Sequence, residues 1–190
     1  MPFRPATPLH TERLLLRQFE EGDLAALTEI QSRQDVARWL YWEPRSAEEV
    51  RESLEWKMTG HTLHAAGDTL SFAVVLRETR ELVGDCNLTW TSDVHRQGEI
   101  GYVFNPRHHG HGYATEAARR LLELGFQELR MHRIIGRLES RNTASARVLE
   151  RLGMRREAEL VENEWVKGEW QSELVYAMLD REWEQSLGGA

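Results

Sequence analysis

The chain reads as an α+β protein. Two hydrophobic periods are mixed along it: a period of two in short runs such as 100–104, and a period near four in longer ones such as 114–129. No repeat, low-complexity tract or Pro/Gly/Ser linker divides the sequence, and its 190 residues suit one domain, 1–190. The period changes between Phe104 and Ala114, which places a strand, a turn and a helix in immediate succession.

The elements follow in order. Residues 13–17 are apolar enough for a first strand, and Asp23 caps a helix carrying Leu24, Leu27 and Ile30. Ser46 with Glu49 three residues later forms a capping box, opening a second helix toward Met58. Residues 71–76 and 82–88 are strands joined by a turn at 78–81, a hairpin. Ile100, Tyr102 and Phe104 alternate on a strand ended by Asn105-Pro106, with Glu99 on its other face. Ala114, Ala118, Leu121, Leu122, Gly125, Phe126 and Leu129 mark a long amphipathic helix. Ile134, Gly136 and Leu138 make a short strand. Asn142 then caps a helix with Ala146, Leu149 and Leu152 inside, closed by Gly153 in a left-handed conformation. Residues 155–157 and the acidic stretch 159–164 read as solvent-facing strand and loop. Residues 174–179 are the last strand, and 187–190 are expected to fray.

Charge and composition exclude several classes. With 24 Lys+Arg against 31 Asp+Glu the net charge is −7, which weighs against broad nucleic-acid binding. No apolar run approaches membrane-spanning length, and the N-terminus lacks a hydrophobic signal core. The lone Cys86 has no partner for an internal bridge, which fits a cytoplasmic location; its strand context makes it a small core residue. His108, His109 and His111 do not have a zinc spacing, and neither they nor His95 and His132 fall in a Cys or carboxylate pattern, so no metal is expected. Trp39, Tyr41, Trp42 and Trp56 are a local aromatic excess, serving either as core packing or as the wall of an apolar ligand site. A homodimer is compatible with the sequence, though no apolar stripe points to one.

The chemistry is carried by the stretch from Val103 to Thr115. Gly110 and Gly112, between a strand and a helix, let the backbone turn its N–H groups toward a ligand. The first turn of the helix adds unpaired donors and the positive end of its dipole, an anion site suited to a pyrophosphate, and Arg107 adds charge nearby. Read from Gly110, the third glycine of a dinucleotide fingerprint is replaced by Thr115, and the G-K-[ST] of a phosphate-binding Walker loop is missing. An ordinary tight turn would also explain two glycines in such a place.

The run Arg107-His-His-Gly110-His-Gly112 resembles the R-x-x-G-x-G loop of the GCN5-related N-acetyltransferase superfamily. Residues 113–117 are similar to the helix start in its ribosomal-protein N-terminal branch. Asn142-Thr-Ala-Ser145 and 148–154 resemble the superfamily's next helix, with Met154 where Phe is commoner. Residues 9–17 and 176–183 fit the same branch, so the resemblance spans most of the chain.

The resemblance implies a mixed, mostly antiparallel sheet of about six or seven strands, splayed at its middle and flanked by about four helices. It implies acetyl-CoA as donor and a primary amine, on a protein N-terminus or a small molecule, as acceptor. Val103, Phe104 and Asn105 would then line the thioester gap, an amide near Val103 polarising the carbonyl. Arg107, His109, Gly110, His111, Gly112, Tyr113, Ala114 and Thr115 would hold the pyrophosphate, and Asn142 and Ser145 the other side of the pantetheine. One of Arg119, Arg120, Arg147 and Arg151, otherwise solvated helix face, would meet the coenzyme's 3′-phosphate.

Many relatives carry a tyrosine as proton donor at the position held here by Leu149. Ser145 is the nearest hydroxyl and is read as the donor to the departing sulfur, with a second helix cap as its plainer role. Glu99 is read as the base in the acceptor cleft, with a solvated strand carboxylate as the alternative. Tyr102 and Tyr113 are further proton-handling candidates. Trp39, Tyr41, Trp42 and Trp90 are the candidate acceptor walls. Two rivals stand beside this reading: a non-catalytic acyl-CoA-binding sensor, favoured by Leu149 and opposed by Asn142 and Ser145, and a nucleotide-phosphate binder using the glycine loop alone.

Overall fold

A computed structural model describes residues 2–188. One mixed sheet of eight strands forms its middle, in the order β1-β2-β3-β4-β5-β6-β8-β7. The strands are β1 (Leu9–His10), β2 (Leu14–Arg17), β3 (Thr69–Leu76), β4 (Leu82–Ser92), β5 (Gln97–Phe104), β6 (Arg133–Glu139), β7 (Arg155–Val166) and β8 (Glu169–Leu179). The helices are α1 (Leu24–Gln31), α2 (Gln34–Ala37), α3 (Ala47–Thr59), α4 (Tyr113–Glu123), α5 (Thr143–Arg151) and α6 (Asp180–Gly188). No helix among the described residues is long and apolar enough to cross a membrane.

The strand count exceeds expectation at both ends of the sheet. β1 is two residues long, too short to leave a period in the sequence. β7 is an exposed edge strand whose charged residues mask its alternation, so the stretch expected to be partly loop continues as strand to Val166, with its register broken between Leu160 and Glu164. The helix count also exceeds four, because the four-residue α2 and the C-terminal α6 join it. Leu187 and Gly188 close α6, while Gly189 and Ala190, also expected to fray, lie outside the described residues.

Local signals formed as read at three helix ends. Ser46 and Glu49 make their reciprocal box, Asn142 accepts from the Ser145 amide at 3.1 Å, and Gly153 is left-handed at φ 83°. Asp23 departs from its expected role. It ends a 3-10 turn and accepts both Nη atoms of Arg17 at 2.7 Å, so it ties β2 to the turn rather than capping α1. α4 continues into a π-helical turn at 124–128, in place of the single regular helix its spacing suggests.

The sheet carries a separate core on each face. Ile100, Phe104, Leu121, Leu122, Ile134, Leu149 and Tyr176 belong to the cluster under α4 and α5. Leu27, Ile30, Val50, Leu54, Ala73 and Val75 form the other, under α1 and α3. Cys86 is fully buried in the first, and that burial pushes its thiol pKa up, leaving it unreactive.

One break in the sheet positions everything that follows. β5 and β6 run parallel and pair only at Gln97–Arg133, Gly98–Ile134 and Glu99–Ile135, after which they part. The remainder of β5, from Ile100 to Phe104, keeps its partners on β4 and leaves its other edge open.

Candidate active site

A cleft of about 350 Å³ occupies the parting of β5 and β6. Tyr102, Val103 and Phe104 form its floor, the loop 108–112 and the start of α4 one side, and Asn142, Ser145, Arg147 and Arg151 of α5 the other. Trp39 and Leu40, after α2, close one end.

The glycine loop presents its backbone inward. Gly110 and Gly112 have φ of +82° and +79°, and a Cβ at Gly110 would meet open space, so the requirement there is conformational rather than steric. The N–H groups from Gly110 through Thr115 find no acceptor among the described residues; the next, that of Glu116, closes the helix on Gly112 O at 3.0 Å. Thr115 Oγ1 is buried with no hydrogen-bond partner. A row of amides and an orphaned hydroxyl at a helix N-terminus is the donor set a phosphate oxygen requires, so the residues fit the pyrophosphate of a coenzyme. Arg147 and Arg151 face the same cleft without a carboxylate partner among the described residues.

Arg107 is used elsewhere. Its guanidinium bonds Glu29 on α1 at 2.6 Å, and Asn105 Nδ2 donates to the same carboxylate at 2.9 Å. The Asn105 hydrogen bond, ahead of the Arg107 charge, holds Glu29 below the usual carboxylate range. Asn105 is buried and does not line this cleft; it caps the turn at 106–108. His111 also turns from the cleft, stacking on Tyr113 at 5.4 Å. His108 meets Glu81 at 3.1 Å while His109 approaches Phe104 O at 3.3 Å, so the three histidines diverge.

Arg13 is the residue that sequence reasoning missed. It donates to His111 O at 2.9 Å and through Nε to Glu116 at 2.7 Å, and lies over the Tyr113 ring at 4.8 Å, clamping the loop to the sheet. Burial alone would raise the Glu116 pKa, but bonds from Thr11 and Arg13 hold it below the ordinary value. The available signal was an acidic residue in the first turn of α4, which reads as a dipole partner rather than half of a clamp.

At the strand edge the amide expected to polarise a carbonyl needs correction. The Asn105 amide bonds Val83 O at 2.9 Å, and an antiparallel ladder alternates, so Val103 also turns its N–H toward β4. The amides of Tyr102 and Phe104 are the ones aimed at the gap. Val103 lines the cleft while its side chain packs against the α1–α3 core.

Across the gap, Tyr102 OH lies 3.0 Å from Ser145 Oγ and donates to Ser145 O at 3.1 Å. Burial, outweighing the Ser145 bond, pushes the Tyr102 pKa up to about 12, so the phenol keeps its proton at neutral pH. Leu149 is 1% exposed and packs on Gly136, where an added Cβ would meet Leu149 Cδ1 at 2.9 Å. The position at which the family resemblance points to a tyrosine is core here.

A second cleft, of about 130 Å³, meets the first at Trp39 and Leu40. Tyr41, Glu99 and Arg137 line it, with Glu99 accepting from Arg137 Nε at 3.1 Å. Of the four aromatic walls anticipated, Trp39 and Tyr41 are here. Trp42 packs on the α1–α3 core with Arg45 over its ring at 4.7 Å, and Trp90 packs on the main core, so neither lines either cleft. Trp56 is 58% exposed on α3.

A family model described as "Acetyltransferase (GNAT) domain" matches residues 13–155. The chain is 36% identical over 173 residues to YnaD of Bacillus subtilis, described as an uncharacterized N-acetyltransferase, covering 91% of this chain and 97% of that one. It is 25% identical over 159 residues to a spermidine N(1)-acetyltransferase of Vibrio cholerae, covering 84% and 88%. The crystal structure of a GNAT-family acetyltransferase from Bacillus anthracis superposes with a TM-score of 0.82 at 36% identity, covering 92% and 99%.

Proposed function

The chain belongs to the acetyltransferase (GNAT) family, an N-acetyltransferase enzyme, and from that premise we propose that it moves acetyl from acetyl-CoA directly to a primary amine. The observation that carries the donor assignment is the row of unpartnered amides from Gly110 to Thr115 beside the orphaned Thr115 hydroxyl, opening on the gap between β5 and β6.

In this reading the amide row and Thr115 bind the pyrophosphate, and Arg147 or Arg151 meets the remaining phosphate charge. Bound acetyl-CoA supplies a thioester carbonyl that an amine nitrogen attacks as the sulfur leaves. The Tyr102 and Phe104 amides donate to the carbonyl oxygen as negative charge develops on it at the gap. The hydroxyl pair Tyr102–Ser145 delivers a proton to the departing sulfur, Ser145 next to it and Tyr102 behind. The second cleft receives the amine between Trp39 and Tyr41, beside Glu99. Dependence on acetyl-CoA and an unpaired, buried Cys86 support a cytoplasmic location.

The acceptor is a small-molecule amine or a protein N-terminus, and the Vibrio cholerae relative makes spermidine the first to try. Calorimetric titration with acetyl-CoA, CoA and ATP, then thiol release over spermidine, other amines and N-terminal peptides, tests the reading. Binding of both CoA forms but not ATP, with release on an acceptor, is expected; absence of CoA binding overturns it.

A further inference from the structure

The second cleft holds a carboxylate that the reaction just described does not use. Its walls carry Glu99, Glu139, Glu164 and Glu173 against a single cation, Arg137. Three of these acids are committed. Glu139 accepts Arg141 Nε at 2.7 Å, Glu164 accepts the Tyr41 hydroxyl at 2.6 Å, and Glu99 accepts Arg137 Nε at 3.1 Å.

Glu173 on β8 is not. Its side chain is 9% exposed, no donor among the described residues hydrogen-bonds it, and the nearest cation is Arg137 Nη1 at 3.7 Å. Its oxygens open on the cleft, so a donor that enters there finds an acceptor that no described residue already hydrogen-bonds. Sheet parity sets Glu173 on the same face as Glu99 and Arg137, because Glu99 opposes Ile135, Arg137 opposes Val175 and Glu139 opposes Glu173. That face is the one turned away from α4 and α5, at the point where β5 leaves β6.

We propose that Glu173 is a catalytic residue: it docks the acceptor's ammonium and takes its proton, while Glu99 positions Arg137 beside it. This rests on the acetyl-transfer reading above. An N–H bond of the ammonium breaks as an O–H bond forms on a Glu173 oxygen, leaving the nitrogen its lone pair, and the proton passes to solvent at the cleft mouth. Burial raises the Glu173 pKa, the Arg137 charge opposes this, and Glu164 and Glu99 reinforce it, so Glu173 is a stronger proton acceptor than an ordinary glutamate. Tyr41, across the cleft, is pushed up to about 12 by burial and then by Glu164, and stays neutral. The preferred acceptor is therefore a cationic amine with no carboxylate beside its nitrogen.

The test is kcat/KM against pH, with spermidine and an alanyl N-terminal peptide as acceptors, on wild type, Glu173→Gln and Glu99→Gln. Acetyl-CoA affinity and thermal stability are measured beside it. Glu173→Gln is expected to keep both, to lose roughly 100-fold in kcat/KM near neutral pH, and to recover toward wild type as pH nears the amine's own pKa. Glu99→Gln is expected to lose roughly tenfold and to retain the acidic limb. Should Glu173→Gln fold poorly, Arg137→Gln is to move that limb to higher pH, because it removes the charge that keeps Glu173 ionised. An active wild type with a parallel Glu173→Gln profile, an unmoved Arg137→Gln limb, or a limb lost only in Glu99→Gln, overturns the role of Glu173 alone. A wild type that binds acetyl-CoA but acetylates neither acceptor overturns the role together with the acceptor reading.

Discussion

At the residue scale the first cleft depends on backbone as much as on side chains. Gly110 and Gly112 hold φ values that β-branched residues avoid, and the amides they direct have no acceptor among the described residues. Gly110→Val is expected to weaken acetyl-CoA binding at least tenfold by calorimetry; unchanged affinity would reduce the loop to a turn. The hydroxyl pair makes a separable prediction. Ser145→Ala and Tyr102→Phe each remove one side of the 3.0 Å contact without touching the amide row. Each should lower kcat roughly 10- to 100-fold while the acetyl-CoA Kd stays within a factor of about three. A fall in affinity matching the fall in rate would return Ser145 to a helix-capping role.

At the scale of elements, the start of β2 and the first turn of α4 are fastened through Arg13, Thr11 and Glu116. Glu116 titrates below its ordinary value in the folded chain, so it contributes stability above the unfolded glutamate pKa of about 4.3, and that contribution fades as pH falls through the folded value. Glu116→Gln should therefore be less stable than wild type at neutral pH by about 1–2 kcal/mol, with the difference closing under acid. Denaturant melts at pH 7 and below pH 4 would read this, and a gap independent of pH would assign it to shape rather than charge. The elements themselves were legible to differing degrees. Ser46–Glu49 and Asn142 announce helix starts because a cap bonds within three residues. β7 was blurred because an edge strand need bury neither face.

At the scale of the molecule, two clefts lie beside the parting of β5 and β6 and share only Trp39 and Leu40. In the proposed function donor and acceptor occupy these separate clefts, and direct transfer needs both bound together. Initial-rate lines should intersect, with CoA competing against acetyl-CoA but not against the amine. Parallel lines would indicate a covalent acyl-enzyme, for which the buried Cys86 thiol offers no accessible nucleophile.

The amino-acid sequence by itself determined the strand, loop and helix to which the proposed function assigns the donor. The glycine loop, the helix after it, the Asn142 cap and the α+β order are all written over short spans, where each residue's conformational preference acts on its near neighbours. Tertiary structure alone decided which groups meet. Tyr102 reaches Ser145 across 43 positions and Arg13 reaches His111 across 98, contacts created by sheet order that leave no periodic trace. It also decided which charges remain available. Arg107 is spent on Glu29, Glu99 on Arg137, and Val103 turns its amide to β4, whereas Glu173, unremarkable in a strand of mixed residues, is left facing the cleft without a hydrogen-bond donor among the described residues. A residue's type states what bonds it can make; only packing and register settle whether those bonds are already made.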